Sequence, residues 1–336
     1  MSFLIQQTII YTVPLLIVAL AGIFAERSGV VNLALEGTMI FGAFIGVLFI
    51  NISQSNGWFQ KENAQILLIL TMTVSAFAGA LFSLLLSFAA VNMKANQTIS
   101  GTALNMLSPA LTLFFISAIT NQNVLSMYEG DAASWFMLKR SNFGFTPTET
   151  LNFFESTFLI RNYLSTYICI AVYIILSVIL YRTRFGLRLR SCGENPHASD
   201  SLGINVKKMR YIGTTISGAL AGMGGFVFSL TTANASATGD VAGFGFLALA
   251  VMIFGNWNPI SVMGAAFLFG LFKCIAAAYA TIDINGDGIF MLAKLGISTN
   301  FYRMLPYVIT LVVLAFTSKH SRAPKAEGIP YDKSKR

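Results

Sequence analysis

Charged residues are scarce in this sequence. Asp, Glu, Lys and Arg make up 11% of its 336 residues and the mean hydropathy is +0.68, whereas soluble domains carry about 25% charged residues. A water-soluble globular domain is therefore excluded. Several stretches without any charged residue reach the roughly 20 residues with which a helix crosses a hydrocarbon core; they are Met1–Ala25, Gly37–Gln60, Ala64–Val91, Ala95–Tyr128, Asn162–Tyr181, Tyr211–Gly239 and Val241–Phe272.

These stretches predict an all-α, polytopic membrane helical bundle. Their Leu, Phe, Ala, Ile and Gly content is typical of helices and lacks the alternation of barrel strands. The run Val241–Phe272 holds two crossings if the chain turns at Asn256–Pro259, and Met304–Ser318 adds a shorter one. We expect about nine transmembrane helices, or about eight to ten when broken or re-entrant segments are allowed for.

The sequence also lacks the groups on which most enzymes depend. It has two histidines, and its three cysteines show no paired spacing, so neither a disulfide nor a metal site is expected. No Gly-Lys dipeptide occurs, which excludes a Walker A phosphate-binding loop. Asp283–Gly288 matches the first half of a calcium-binding loop, but Lys294 takes the place of the bidentate carboxylate. We interpret that segment as an external turn and expect no catalytic residues.

The basic residues are sorted between loops. Arg and Lys cluster in Arg182–Arg210 and from Lys319 to the last residue, and the positive-inside rule places both segments in the cytoplasm. Four crossings between them keep both on one side. Counting crossings backwards puts Asn51–Asn63, Asn121–Arg161 and the N-terminus outside.

This sorting predicts one transmembrane domain over residues 1–318, followed by a basic cytoplasmic tail at 319–336. A cytoplasmic loop lies at 182–210 and an external loop at 121–161, which is either a passive loop or a cap for an extracellular partner. The first apolar run has no basic residue before Arg27, so we interpret it as a retained helix rather than a signal peptide.

Three polar inserts interrupt the apolar spans, at Ala25–Gly37, Gln97–Asn105 and Thr231–Asp240. The first is rich in Val and Leu, which favours a re-entrant or broken helix surrounded by protein or water. Its Glu36 either marks a functional site or reaches the interface from a helix end beside Arg27.

The hydroxyl and amide groups of these inserts either bind a polar solute or bond neighbouring helices. Most of them are neutral, which favours an uncharged polar cargo. The residues that we expect along the solute pathway are Asn32, Glu36, Gln97, Ser100, Thr102, Asn105 and Asn234.

The most basic loop also encodes a short helix. Asn195 is a favoured N-cap, Pro196 suits the first helical position and Gly203 suits the stop signal. A helix of about two turns is therefore expected outside the membrane. It is either an ordinary helical loop or a rigid knob that binds a soluble subunit.

Three stretches follow one another along the chain: Gly193–Pro196 with Gly203-Ile204, the glycine-rich Ser217–Gly225, and Gly243–Ala250 with Gly255–Pro259. Together with the first two inserts they resemble the permeases of ABC importers in the ribose and branched-chain amino acid family, over most of the chain. The first two inserts and the last of these stretches are most similar to the purine-nucleoside (guanosine-type) branch.

The resemblance implies a permease in the cytoplasmic membrane of a bacterium that moves a nucleoside or a related sugar-like solute. Its partners would be a second permease subunit, the same or homologous, an ATPase that binds ATP and Mg²⁺, and an extracellular substrate-binding lipoprotein. The short helix would couple the permease to the ATPase through Gly193, Glu194, Asn195, Pro196, His197, Ala198, Asp200, Leu202, Gly203 and Ile204.

An ion-coupled secondary transporter is the alternative. In that case Glu36, Asp240 or Lys273 would carry a coupling proton or ion, since ionisable residues inside a membrane mark such pathways. A membrane-embedded enzyme is disfavoured by the missing catalytic constellations.

Overall fold

The computed structural model describes residues 2–127, 132–139, 152–160, 162–279, 298–317 and 322–333. Within these ranges the ordered elements are helical apart from two strands of two residues each. In chain order they are α1 (Ser2–Arg27), α2 (Leu35–Ser55), a 3₁₀ turn (Lys61–Asn63), α3 (Ala64–Ser87) with its π-helical extension (Phe88–Asn92), α4 (Gln97–Thr120), β1 (Leu125–Ser126), α5 (Ala132–Phe136), a π turn (Glu155–Leu159), α6 (Leu164–Arg182), α7 (Arg184–Glu194), α8 (Pro196–Ser201), α9 (Val206–Thr231), β2 (Ser236–Ala237), α10 (Phe244–Phe254), α11 (Pro259–Ala278) and α12 (Thr299–Thr317).

Seven helices of the described chain are long and apolar enough to cross a membrane, namely α1, α2, α3, α4, α6, α9 and α11. The predicted all-α polytopic bundle is confirmed. Helix α10 has 11 residues, which at 1.5 Å per residue spans about half of a hydrocarbon core. It is therefore too short for the full crossing that the sequence predicted before the turn at Asn256–Pro259.

The centre of the bundle is built on close approaches between glycines. Helix α9 packs against α1, α2 and α3. A Cβ on Gly222 would lie 2.5 Å from the Ser75 carbonyl oxygen, and one on Gly79 would lie 2.3 Å from the Gly218 carbonyl oxygen. The Ser75 hydroxyl shares its proton between the carbonyl oxygens of Gly42 at 2.6 Å and Gly222 at 2.8 Å. Small residues allow the helices to approach this closely. Such packing holds the helices together in lipid, where the burial of apolar surface does not drive their association.

One end of the bundle, which we call the tail face, carries the polar tail. Residues 322–333 pack there against the end of α7 and the α10–α11 turn: the Ala326 N–H donates to the Gly193 carbonyl at 2.9 Å, and the Arg322 N–H donates to Asn256 Oδ1 at 2.7 Å. Segment 182–210 and the tail thus share one face, as the charge sorting predicted. The predicted turn at Asn256–Pro259 is also confirmed.

The opposite face joins two loops that are distant in sequence. Strands β1 and β2 pair antiparallel, with Leu125 opposite Ala237, and Asn51 Nδ2 donates to the Ser126 carbonyl at 2.9 Å. The predicted external loop is therefore tied to the third polar insert. The half calcium motif at 283–288 lies outside the described residues.

We expect Gly222→Val to destabilise the bundle by about 1–3 kcal/mol, the usual cost of overpacking a core, because the new side chain meets backbone of α3. Gly264→Val is the matched control, since nothing lies within 4 Å of a Cβ at that helical glycine. Thermal unfolding of the detergent-solubilised protein measures the difference. Equal midpoints for the two variants would contradict the packing argument.

Candidate transport site and coupling surface

The chain leaves helical geometry inside the bundle between α1 and α2. Residues 28–34 are non-helical, and Asn32 among them is buried. Polar backbone at such a depth must bond within the protein. The Val31 N–H donates to Gln97 Oε1 at 2.7 Å, and Asn32 Nδ2 donates to Ser217 Oγ at 2.8 Å. The break expected in the first insert is therefore present.

One face of α4 satisfies much of this broken backbone. Asn105 Nδ2 donates to the Leu33 carbonyl at 2.7 Å, while its Oδ1 accepts from the Gly37 N–H at 2.8 Å. Ser108 donates to the Gly37 carbonyl at 2.6 Å. Gln97, Asn105 and Ser108 lie on one side of the helix, because residues separated by three, four or about seven to eight positions fall on the same face of an α-helix. The second insert thus braces the first.

A second break separates α9 from α10. Positive φ angles occur at Asn234, Ala235, Gly239, Ala242 and Gly243, with 56° at Ala235 and 51° at Ala242. A non-glycine residue in this region costs about 1–3 kcal/mol, and such strain is concentrated at functional sites. Segment 232–243 therefore descends into the bundle in a strained, irregular form.

Glu36 joins the two breaks. It is 7% exposed at the start of α2, and its carboxylate accepts three backbone N–H groups at the start of α10: Gly243 on Oε1 at 3.0 Å, and Gly245 and Phe246 on Oε2 at 2.6 and 3.2 Å. The first N–H groups of a helix have no partner within it, and the helix dipole favours an anion there. Glu36 therefore caps α10 from another helix.

Next to this junction lies a cavity of ≈ 660 Å³. Its walls come from α1, α9, the second break, the start of α10, α11 and α12. Phe228 and Lys273 of this lining lie in the halves of α9 and α11 that are remote from the tail face. The cavity therefore occupies the half of the bundle next to the opposite face.

All seven residues predicted for the solute pathway lie in the described ranges, and none of them lines this cavity. Asn32, Gln97 and Asn105 bond the broken backbone, and Asn234 is exposed. Ser100 and Thr102 bond carbonyls of the preceding turn. Their place on a solute pathway stays a prediction.

Only part of the cavity was detectable in the sequence. Lys273 stood out as a lone cation in an apolar span. Tyr11, Phe244 and Tyr307 had no such signal, because 29 Phe and 11 Tyr residues are spread along the chain. Tertiary packing brings them together.

The tail face carries two consecutive short helices. Helix α8 is capped as predicted: Asn195 Oδ1 accepts the Ala198 N–H at 3.0 Å, Pro196 opens the helix and Gly203 has a φ of +79°. Helix α7 was not predicted, although its buried Leu189 and Cys192 alternate with basic residues at helical spacing.

The outer side of α8 is open. Asn195, His197, Ala198 and Ser201 are exposed, and Leu202 is 81% exposed. Pro196 and Ser199 face the bundle. The helix is thus held on one side and free to contact a partner on the other.

The tail closes this face as a strap over residues 322–333. Arg210 is buried and donates from Nη1 to the Ile329 carbonyl at 2.9 Å. Lys94 and Asp332 form an ion pair at 2.8 Å, and the rings of His197 and Tyr331 lie 5.4 Å apart. The strap therefore contacts α8 and the ends of α3 and α9 at once.

Glu327 in the strap faces Glu26 at the end of α1. Burial, which outweighs the hydrogen bond with Glu26 and the charge of Arg27, raises the pKa of Glu327 to about 7. Glu26 in turn accepts the Trp257 indole N–H at 2.5 Å. A proton at this contact thus links the strap to the α10–α11 turn.

Broken helices meeting at mid-bundle around a cavity, with polar helices on one face, define a polytopic helical transport protein rather than an enzyme. The family model described as "Branched-chain amino acid transport system / permease component" matches residues 4–314. This chain belongs to that family, and it is a transporter subunit.

Full-length relatives extend the comparison. The chain is 38% identical over 338 residues to the guanosine ABC transporter permease NupQ of Bacillus subtilis, covering 100% of this chain and 98% of NupQ. It is 38% identical over 335 residues to the nucleoside ABC transporter permease NupC of Lactococcus lactis, with the same coverage. The putative glucose ABC transporter permease TsgC13 of Haloferax volcanii is 27% identical over 94% of this chain and 92% of its own length. No solved structure matches the chain.

We expect Glu36→Ala to destabilise the junction of the two breaks, because three N–H groups lose their acceptor at a cost of about 1–3 kcal/mol for each one left unsatisfied. The midpoint of thermal unfolding should fall and solute uptake should be lost. Glu62→Ala is the control, since Glu62 is exposed in the α2–α3 connection. An unchanged midpoint for Glu36→Ala would show that the cap does not hold α10.

Strap docking should depend on pH. The docked pKa of Glu327, about 7, exceeds its ordinary value of 4.5, so docking is strongest where Glu327 is protonated in both states, below pH 4.5. It weakens as the pH rises, and the loss is complete above pH 7. Glu327→Gln should remove this dependence.

A nitroxide at Lys333→Cys reports on docking, because the native cysteines are buried. The mobile fraction in its EPR spectrum should increase between about pH 5.5 and about pH 8.5, because docking weakens over this range as Glu327 loses its proton. It should stay constant in the Glu327→Gln background. A pH-independent spectrum in the parent protein would refute the role of this proton.

Proposed function

We propose that this chain is the permease subunit of an ATP-driven importer that moves nucleosides across the cytoplasmic membrane. The observation that carries the proposal is the full-length similarity, at 38% identity, to two permeases named for guanosine and for nucleosides. The similarity to a putative glucose permease is lower, at 27%. A nucleoside is therefore favoured over a hexose as the cargo.

Helix α8 is the proposed contact with the ATPase. Most of its outer residues are exposed, its buried Pro196 and Ser199 face the bundle, and the ring of His197 lies beside Tyr331 of the strap. A short, rigid helix of this kind transmits movement as a unit. Hydrolysis would take place on the ATPase, which holds ATP and Mg²⁺, because this sequence lacks a Walker A loop.

The orientation of the chain in the membrane follows from the proposed contact between α8 and the ATPase. If α8 contacts the ATPase, the tail face and the C-terminus lie in the cytoplasm, as the positive-inside rule predicts. The cavity then lies in the outer half of the membrane, beneath the β1–β2 pair. A lipoprotein that delivers solute would bind on that outer face, and a second permease subunit, the same or homologous, would complete the complex.

We expect Leu202→Asp to lower co-purification of the ATPase about tenfold or more, since exposed anchors in the centre of an interface carry much of the binding energy. Trp58→Asp is the matched control, because Trp58 is 64% exposed on the opposite face. Undiminished ATPase binding by Leu202→Asp, and by a variant with a flexible linker in place of residues 195–203, would contradict the proposal.

Uptake by proteoliposomes distinguishes the importer from the ion-coupled transporter. The importer requires ATP, the ATPase and the lipoprotein. Accumulation of a nucleoside by this chain alone, driven by a proton or sodium gradient, would establish the alternative, with Glu36, Asp240 or Lys273 as the candidate coupling group.

A further inference from the structure

We infer that the 660 Å³ cavity binds the base of a neutral nucleoside that presents a carbonyl oxygen to Lys273. This inference rests on the proposed function and specifies its binding site. It assigns the site to α1, the end of α9, segment 232–243, α10, α11 and α12 instead of to the polar face of α4.

Lys273 is a cation without an ionic partner in the described part of the chain. The ion pairs there join Arg27 to Glu194 and Lys94 to Asp332, so neither Glu36 nor Asp240 lies within salt-bridge distance of its Nζ. The ammonium donates to the Ala242 carbonyl at 3.1 Å. An ammonium has three donors, which leaves two for a ligand.

Aromatic rings surround this ammonium. Its Nζ lies 4.8 Å from the ring centroid of Phe244 and 5.3 Å from that of Tyr307, and Tyr11 also lines the cavity. Flat aromatic rings bind the faces of bases by stacking. The cation–π contacts hold the ammonium at the edge of such a stack.

The polar lining matches the remainder of a nucleoside. Asp240 and the hydroxyls of Thr232 and Thr238 lie on the strained second break. The Asp240 Oδ1 accepts the Ala242 N–H at 2.9 Å, and a carboxylate has further acceptor sites for ribose hydroxyls. One cation and one anion within the same lining suit an uncharged solute. The volume lies within the usual 300–1,000 Å³ of small-molecule pockets.

The donor character of Lys273 selects among bases. Lysine carries donors and no acceptor, and the carbonyl O6 and N7 of a 6-oxopurine are both acceptors, whereas the 6-amino group of adenine is a donor. Inosine and adenosine both carry ribose and differ in the base at this edge. The cavity should therefore favour inosine.

The test uses the complete reconstituted complex, with the lipoprotein loaded to saturation with radiolabelled inosine or adenosine. We expect Lys273→Gln to lower ATP-driven inosine uptake about tenfold and adenosine uptake about twofold or less, the scale of one base-edge contact. Lys273→Arg should retain the preference. Lys61→Gln, on the opposite face and exposed, is the matched control.

Photolabelling with 8-azidoinosine supplies a readout that does not depend on transport. Mapped by peptide mass spectrometry, the label should fall on α1, the end of α9, segment 232–243, α10, α11 or α12, and it should decrease in Lys273→Gln. Label on α4 would overturn the inference. An equal loss of inosine and adenosine uptake in Lys273→Gln, with unchanged labelling, would also overturn it.

Failure of the proposed function has a different signature. A parent complex without ATP-driven nucleoside uptake would refute the importer, while the labelling pattern would still decide the binding site. Normal ATP-driven uptake with wild-type inosine transport by Lys273→Gln would overturn only the inference about the cavity.

Discussion

The bonds from Glu36 to the start of α10 are the constraint on which the rest of this architecture depends. Two segments of irregular backbone enter the bundle, and lipid offers no partner for their polar groups. One carboxylate satisfies three N–H groups, and the amides of α4 satisfy the other break. Without these bonds neither segment would be stable at that depth. Segment 232–243 would then no longer line the cavity.

Helix α10 connects the two functional regions. Its start lies at Glu36 and the cavity, and the turn after it places Trp257 against Glu26 and Asn256 against the strap. The strap in turn contacts α7 and α8. Packed and bonded elements therefore form a continuous connection between α8 and the cavity. Rigid elements with strained connections are typical of alternating access.

Several features were predictable because they depend on local composition. Uncharged spans predicted the helical bundle, basic loops predicted that the tail and segment 182–210 share one face, and Asn195, Pro196 and Gly203 predicted α8 and its caps. The first polar insert predicted the break between α1 and α2, whereas the break between α9 and α10 was not predicted. Helix α7 was missed because its few apolar residues lie in a strongly basic stretch, although Leu189 and Cys192 mark its buried side.

The sequence by itself determined that this chain spans a membrane, that it breaks between α1 and α2 and which loops lie together, because hydrophobicity, charge sorting and capping act over a few residues. Tertiary structure alone decided what the polar residues do. Gln97, Asn105 and Glu36 bond backbone far away in sequence, and Lys273 meets Phe244 and Tyr307 only after packing. The chemical type of a side chain determines which kinds of bond it can make. Only the folded chain determines which partner it bonds to.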